Sequence, residues 1–183
     1  MWIIILIVIL AFIAMYVVST YNGLVVARNK VKDQFSQIDI QLKRRFDLIP
    51  NLVETVKGYA KHESETLESV IQARNNYANA KTDAEKVAAS NEMSRGVMNI
   101  MALSESYPDL KANTNFIQLQ DELAGTENRI SVARNDYNEA VKTYNKNIKS
   151  FPKNILAGMF GFEEKDYFEA KESSNEVPEV SFE

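Results

Sequence analysis

Residues 41–59 read QLKRRFDLIPNLVETVKGY, the middle of a long amphipathic pattern that carries three consecutive cations, Lys43, Arg44 and Arg45, and a proline at position 50. The apolar residues around this stretch are Val31, Phe35, Ile38, Leu42, Ile49, Leu52, Val56 and Tyr59. Apart from the gap between Leu42 and Ile49 they recur in steps of four and three, the seam of a helix packed on other helices. Arg45 stands at the missing seam position, and Phe46 lies in the same gap. Burying an unpaired guanidinium costs roughly several kcal/mol or more. A local slip is therefore expected, with Phe46 in the core and Arg45 reaching sideways to an acid. Pro50 costs ~3 kcal/mol inside a helix, yet the seam keeps its phase across it. A kinked, continuous helix is expected there, the alternative being a new helix capped by Asp47 with Pro50 in its first turn.

Outward toward the N-terminus the character changes. Residues 1–27 contain no charged side chain, so all 21 basic and 25 acidic residues fall in 28–183. The opening run, MWIIILIVILAFIAMYVV, is 18 uncharged and almost wholly apolar residues, about the minimum of ~18 for a spanning helix. It lacks the basic start and small-residue cleavage site of a secretory signal, so an uncleaved anchor is expected over 1–27, with the mature chain beginning at or near Met1. Trp2 at one end and Tyr16 and Tyr21 at the other suit the two interfacial belts of a bilayer. The first cations after the anchor are Arg28, Lys30 and Lys32, with no charged side chain before it. The expectation is a single-pass protein of the cell membrane, N-terminus outside and helical domain cytoplasmic.

Toward the C-terminus the chain reads as helix nearly throughout. The seam of the first helix extends loosely through Leu67, Val70, Arg74 and Tyr77. NAKTD at 79–83 reads as a loop with Asp83 as the next N-cap, followed by a Met-rich helix over about 84–106 that SYPDL at 106–110 ends. The third helix has the cleanest pattern. Phe116, Leu123, Ile130, Tyr137, Tyr144 and Phe151 recur every seven residues, flanked by Ala133 and Ala140, which implies coiled-coil-like core packing. The fold expected is all-α: a single N-terminal transmembrane helix, then an elongated antiparallel bundle of three long helices over 28–162. Residues 163–183, with eight acids and two lysines, read as an acidic disordered tail.

A short repeat, ARNKV at 27, ARNNY at 73 and ARNDY at 133, sets an arginine beside a seam residue each time. With Arg45, the arginines Arg74 and Arg134 are candidates for polar contacts between helices, their stems lying along the seam. SFPKNILAGMFGF at 150–162 is more apolar than a loop needs to be. Ile155, Leu156, Met159, Phe160 and Phe162 are candidates for self-assembly or membrane contact, or for a cap on the bundle end. Val177, Val180 and Phe182 close the tail and could dock on a partner's sheet edge.

Chemistry-bearing groups are sparse. There is no cysteine and one histidine, His62, in the charged stretch KHESE, which reads as a surface residue. Neither a phosphate-binding glycine loop nor a convergent set of metal ligands is visible. The mild charge of 28–162 lacks the basic stripe of a nucleic-acid binder. The expectations are no enzymatic activity, no cofactor and no nucleic-acid partner.

Four blocks in order carry a family resemblance: YNGLVVARNKV, QLKRRFDLIPNLVETVKGYAKHE, YPDLKANTNFIQLQDELAGTENRI and ARNDYNEAVKTYNKNIKSFPKNILAGMFGF. With the ending VPEVSF they resemble the LemA family of bacterial membrane proteins. Phe35 stands where relatives commonly carry Trp. The resemblance implies one N-terminal transmembrane helix, a long helical domain and no established reaction. Branches of that family are associated with membrane organisation and, through gene neighbourhood, with membrane-bound proteases. Two functions therefore stand at this point: a self-associating scaffold that organises a membrane as a homo-oligomer, or an adaptor that presents a membrane-bound protein partner with its client.

Overall fold

The computed structural model describes residues 1–168. They are helical almost throughout, with no strand among them: α1 (Trp2–Lys57), α2 (Ser64–Asn79), α3 (Asp83–Ser104), α4 (Pro108–Lys111), α5 (Thr114–Lys149) and α6 (Lys153–Met159). An anchor and three long helices were expected; α1 carries the apolar run and continues beyond it, α2 is separate from α1, and the short α4 and α6 are added. The chain forms two compact units: Met1–Gln34 with Asn135–Glu183, and Phe35–Arg134.

α1 is continuous through Pro50, whose ring lies on the exposed side. Asp47 sits in mid-helix, four residues after Lys43 and 3.9 Å from it, and caps nothing. The helix ends at Lys57, not near residue 78 as the seam suggested, and the chain reverses over residues 58–63. Reversal is visible in the contacts of α2: Arg74 Nε donates to the Phe46 carbonyl at 3.2 Å, and the Tyr77 hydroxyl to Asp39 Oδ1 at 2.7 Å.

Within the 35–134 unit the helical segments alternate in direction. Lys86 of α3 reaches Asp39 of α1 and Ser94 of α3 reaches Arg45, so α3 runs with α1. Arg44 pairs with Glu122 and Arg129 bonds Gln41, so α5 runs against it. Their core holds Ile49, Leu52, Val56, Ala60, Leu67, Val70, Met93, Ile100, Leu110, Phe116 and Leu123. Gly96 lets α3 approach α2 closely, because a β-carbon there would stand 2.7 Å from Val70 Cγ2.

Local signals account for the helix ends. The N-cap of α3 is Thr82, one residue before the expected Asp83. Its hydroxyl accepts from Glu85 N, and the Glu85 carboxylate accepts from Thr82 N, a reciprocal capping box. Pro108, expected to end the preceding helix, occupies the first turn of α4, where its missing N–H leaves no bond unmade. Asn113 caps α5 by accepting from Phe116 N at 3.0 Å. Along α5 the seven-residue series is core at Phe116, Leu123, Ile130 and Tyr144 and half-buried at Tyr137. Phe151 departs from it: α5 ends at Lys149, and the ring is 81% exposed.

The other unit packs Leu24 and Val31 of α1 against Ala140, Val141, Tyr144 and Ile148 of α5, Ala157 of α6 and Phe162. Residues 163–168, read as the start of a disordered tail, are held along α5 instead. The Asn145 side chain accepts from Lys165 N and donates to its carbonyl, and Asn138 does the same to Phe168. Tyr144 and Tyr137 donate to the carbonyls of Glu163 and Asp166. The spacing explains the fit. Seven residues of helix rise ~10.5 Å, and three residues of extended chain span ~10 Å, so Asn side chains seven apart meet main-chain groups three apart. Val177, Val180 and Phe182 lie outside the described residues.

Candidate functional site

Arg45 departs from its expected position. It does not slip aside: it occupies the seam position itself and is 2% exposed, while Phe46 is half-buried on the flank of α1. The burial is possible because two other helices supply partners. Arg45 Nη1 donates to Ser94 Oγ of α3 at 2.6 Å, and Nη2 forms an ion pair with Glu127 of α5. Arg134 of α5 donates to Ser90 Oγ and Asn91 Oδ1 of α3, at 3.1 and 3.2 Å. Burial lowers the Arg134 pKa; Glu127 opposes that shift and the Arg45 charge adds to it. Two guanidiniums thus share the field of one carboxylate, and Glu127 is 49% exposed on its side chain.

Arg74 makes the third such contact. Its guanidinium carbon lies 3.7 Å above the Phe46 ring, and Phe46 in turn meets Tyr77 with ring centroids 6.0 Å apart. Asp39 completes this face of the unit, accepting from Tyr77 of α2 and Lys86 of α3. Burial pushes the Asp39 pKa up, but the two hydrogen bonds and the charges of Lys86 and Lys43 outweigh it, and the net shift is downward. Burial and the bond to Asp39 raise the Tyr77 hydroxyl. Each arginine of the ARN repeat therefore reaches a different element: Arg28 lies 5.2 Å over the Phe162 ring, Arg74 over Phe46, and Arg134 against α3. The contacts of Arg74 and Arg134 are interhelical ties, and that of Arg28 joins α1 to the turn after α6. None of them brings together a nucleophile and a base.

An open groove of about 860 Å³ runs between α1 and α5 in the 35–134 unit, lined by Arg44, Asn51, Glu54, Asp121, Glu122 and Arg129 among others. Arg44 is paired there with Glu122 at 2.8 Å. His62 is exposed in the 58–63 reversal. Among the described residues no group of three or more His, Cys, Asp or Glu side chains is placed to hold a metal ion.

The apolar features divide sharply. Among the described residues one helix, α1, is long and apolar enough to cross a membrane, and from Trp2 to Tyr16 its side chains are exposed. Trp2 and Tyr16 stand out from it, as does Tyr21. Of the 150–162 candidates, Phe162 is buried and Leu156 half-buried, whereas Ile155, Met159 and Phe160 are exposed. The segment is thus part buried and part exposed. The Phe160 and Phe162 rings stand edge-on to Tyr21 at 4.9 and 5.8 Å, which spacing alone did not reveal.

The chain is 29% identical over 124 residues to Protein LemA of Metamycoplasma hominis, an alignment covering 66% of this chain and 56% of that protein. The chain thus spans little more than half the length of that curated relative. A family model described as the LemA family matches residues 34–182, most of the chain, and the chain belongs to the LemA family.

Proposed function

We propose that this protein is a non-enzymatic, membrane-anchored helical scaffold that self-associates and organises the membrane holding it. The observation that carries the reading is the contrast along α1. Its first turns expose Ile3, Ile4, Leu6, Ile7, Phe12 and Ile13 in an unbroken apolar sleeve, while the same helix further on buries one seam and exposes charge. A sleeve that no described element covers is satisfied by a bilayer, where the helix bonds its own backbone internally. Arg28, Lys30 and Lys32 directly after it favour a cytoplasmic domain, coiled-coil-like in its packing, by the positive-inside rule.

Self-association is supported by apolar side chains that the 35–134 unit leaves open, Ile40, Met98 and Val132. The arginine ties of that unit are interior supports and not a reaction centre. The reading is tested by extracting membranes with alkaline carbonate and then sizing the detergent-solubilised protein by light scattering. Retention in the pellet and a particle of several copies are expected. Release by carbonate would contradict the anchor, and a monodisperse monomer would contradict the scaffold and favour an adaptor. Protease added to intact cells should leave the helical domain undigested.

A further inference from the structure

We infer that α6 and the residues flanking it form a second membrane contact, a short amphipathic segment lying in the interface of the bilayer that α1 spans. The inference rests on the reading of the apolar run of α1 as an anchor.

Position along α1 carries the argument. From Trp2 to Tyr21 the helix rises ~28 Å, close to the ~30 Å hydrocarbon thickness of a bilayer, so Tyr21 stands at the membrane boundary. Phe160 packs edge-on against that ring at 4.9 Å. Val17 is half-buried and Thr20 buried, in a helix whose preceding residues are exposed. The protein that packs against α1 therefore begins within the last turns of the apolar run, at bilayer depth. Gly161, with φ of 69°, turns the chain after α6, and Phe162 N then bonds the Ala157 carbonyl and enters the core.

The segment has two faces. Ala157 faces the core with Tyr144 and Ile148. Ile155 and Met159, four apart on α6, share the opposite stripe and are 54% and 74% exposed, with Phe160 at 46% after them and Phe151, in the turn before α6, at 81%. Water is a poor solvent for such a stripe at the mouth of an apolar span, and the interfacial layer is a good one. Lys146 and Lys149 in the last turn of α5, with Lys153 opening α6, place cations beside the stripe, suited to lipid phosphates. The acidic residues that follow lead away along α5, from Tyr144 toward Asn138, and Lys149 is paired with Glu164 at 2.8 Å. The bilayer is the one occupant that continuity with α1 selects.

The chain contains no cysteine, so single cysteines can carry a spin label in the full-length protein. Ile155→Cys and Met159→Cys, with Ile7→Cys and the exposed Glu68→Cys of α2 as references, would be reconstituted into phosphatidylcholine and phosphatidylglycerol vesicles. Collisions with oxygen and with a water-soluble nickel chelate would then be measured by power saturation. Labels at 155 and 159 are expected to favour oxygen several-fold over nickel, at shallower depth than at 7, while 68 favours nickel. Nickel access at 155 and 159 equal to that at 68 would place the stripe in water and overturn the inference. Low access to both reagents would place it under protein, a second copy included, and overturn it equally. Nickel access at 7 would show instead that the anchor reading has failed, and the inference with it.

Discussion

Removing either end of the Arg45–Glu127 pair should have very different consequences. Arg45 is 2% exposed, with its nearest carboxylate on Glu127 and Arg134 contributing a second positive charge nearby. Glu127→Ala strands a guanidinium in the core with only Ser94 to accept from it. Breaking a buried pair in this way costs about 3–5 kcal/mol. At roughly 2–4 °C per kcal/mol for a chain of this size, the melting temperature should fall by about 6–20 °C. Arg45→Met reverses the situation. Glu127 is 49% exposed and can rehydrate, and the thioether fills the seam between Leu42 and Ile49, so the loss should stay under about 1.5 kcal/mol. The double variant should recover most of the loss caused by Glu127→Ala. Far-ultraviolet circular dichroism melts of the full chain in detergent, with the two single variants and the double, form the cycle. Equal losses from the two single changes, or a larger loss from Arg45→Met, would refute the view that the guanidinium is the group that needs its partner.

Pro50→Ala should leave helix content unchanged and raise stability by up to ~3 kcal/mol, whereas Asp47→Ala, which removes only an exposed pair with Lys43, should change it by under ~0.5 kcal/mol; thermal melts separate the two. Gly96→Ala should destabilise by up to about 2 kcal/mol, because overpacking against Val70 at ~1–3 kcal/mol exceeds the gain of ~1 kcal/mol in helix propensity, and the loss should shrink in a Val70→Ala background. Asn138→Ala combined with Asn145→Ala should free residues 163–168 from α5, seen as faster amide exchange confined to that segment. The Asp39 carboxyl is held below its ordinary value, so its stabilising contribution is present above about pH 4 and is lost as pH falls through the lowered folded value. The stability gap between wild type and Asp39→Asn should therefore close on acidification, measured by urea melts across that range.

The parts of this fold that were legible in the sequence are those written in one segment. The apolar run of α1 and the seven-residue series of α5 needed no distant information, and Phe151 left its series only because α5 ends two residues earlier. The reversal at 58–63 was hidden by its own packing. Val56, Ala60, Leu67 and Val70 face one core from both sides of the turn, so the hydrophobic phase runs on as if the helix did. Gly58 was the one local sign of a break. Arg45 was misread because its partner lies 82 positions away, where no periodicity reaches. The Asn138–Asn145 clasp did have a signal, two asparagines seven apart on one helix face. It becomes readable only once an extended segment is known to lie beside them.

The claim at the centre of this account is that several copies of an anchored chain associate within one membrane. Mass photometry of the full-length protein, extracted with its own lipids into polymer-bounded nanodiscs, tests it most directly. A particle whose protein mass corresponds to two or more copies of the 20.8 kDa chain, and which falls toward one copy when Ile40 and Val132 are both changed to Glu, is the predicted result. A single copy per disc for the unaltered protein, at any protein-to-lipid ratio, would contradict it.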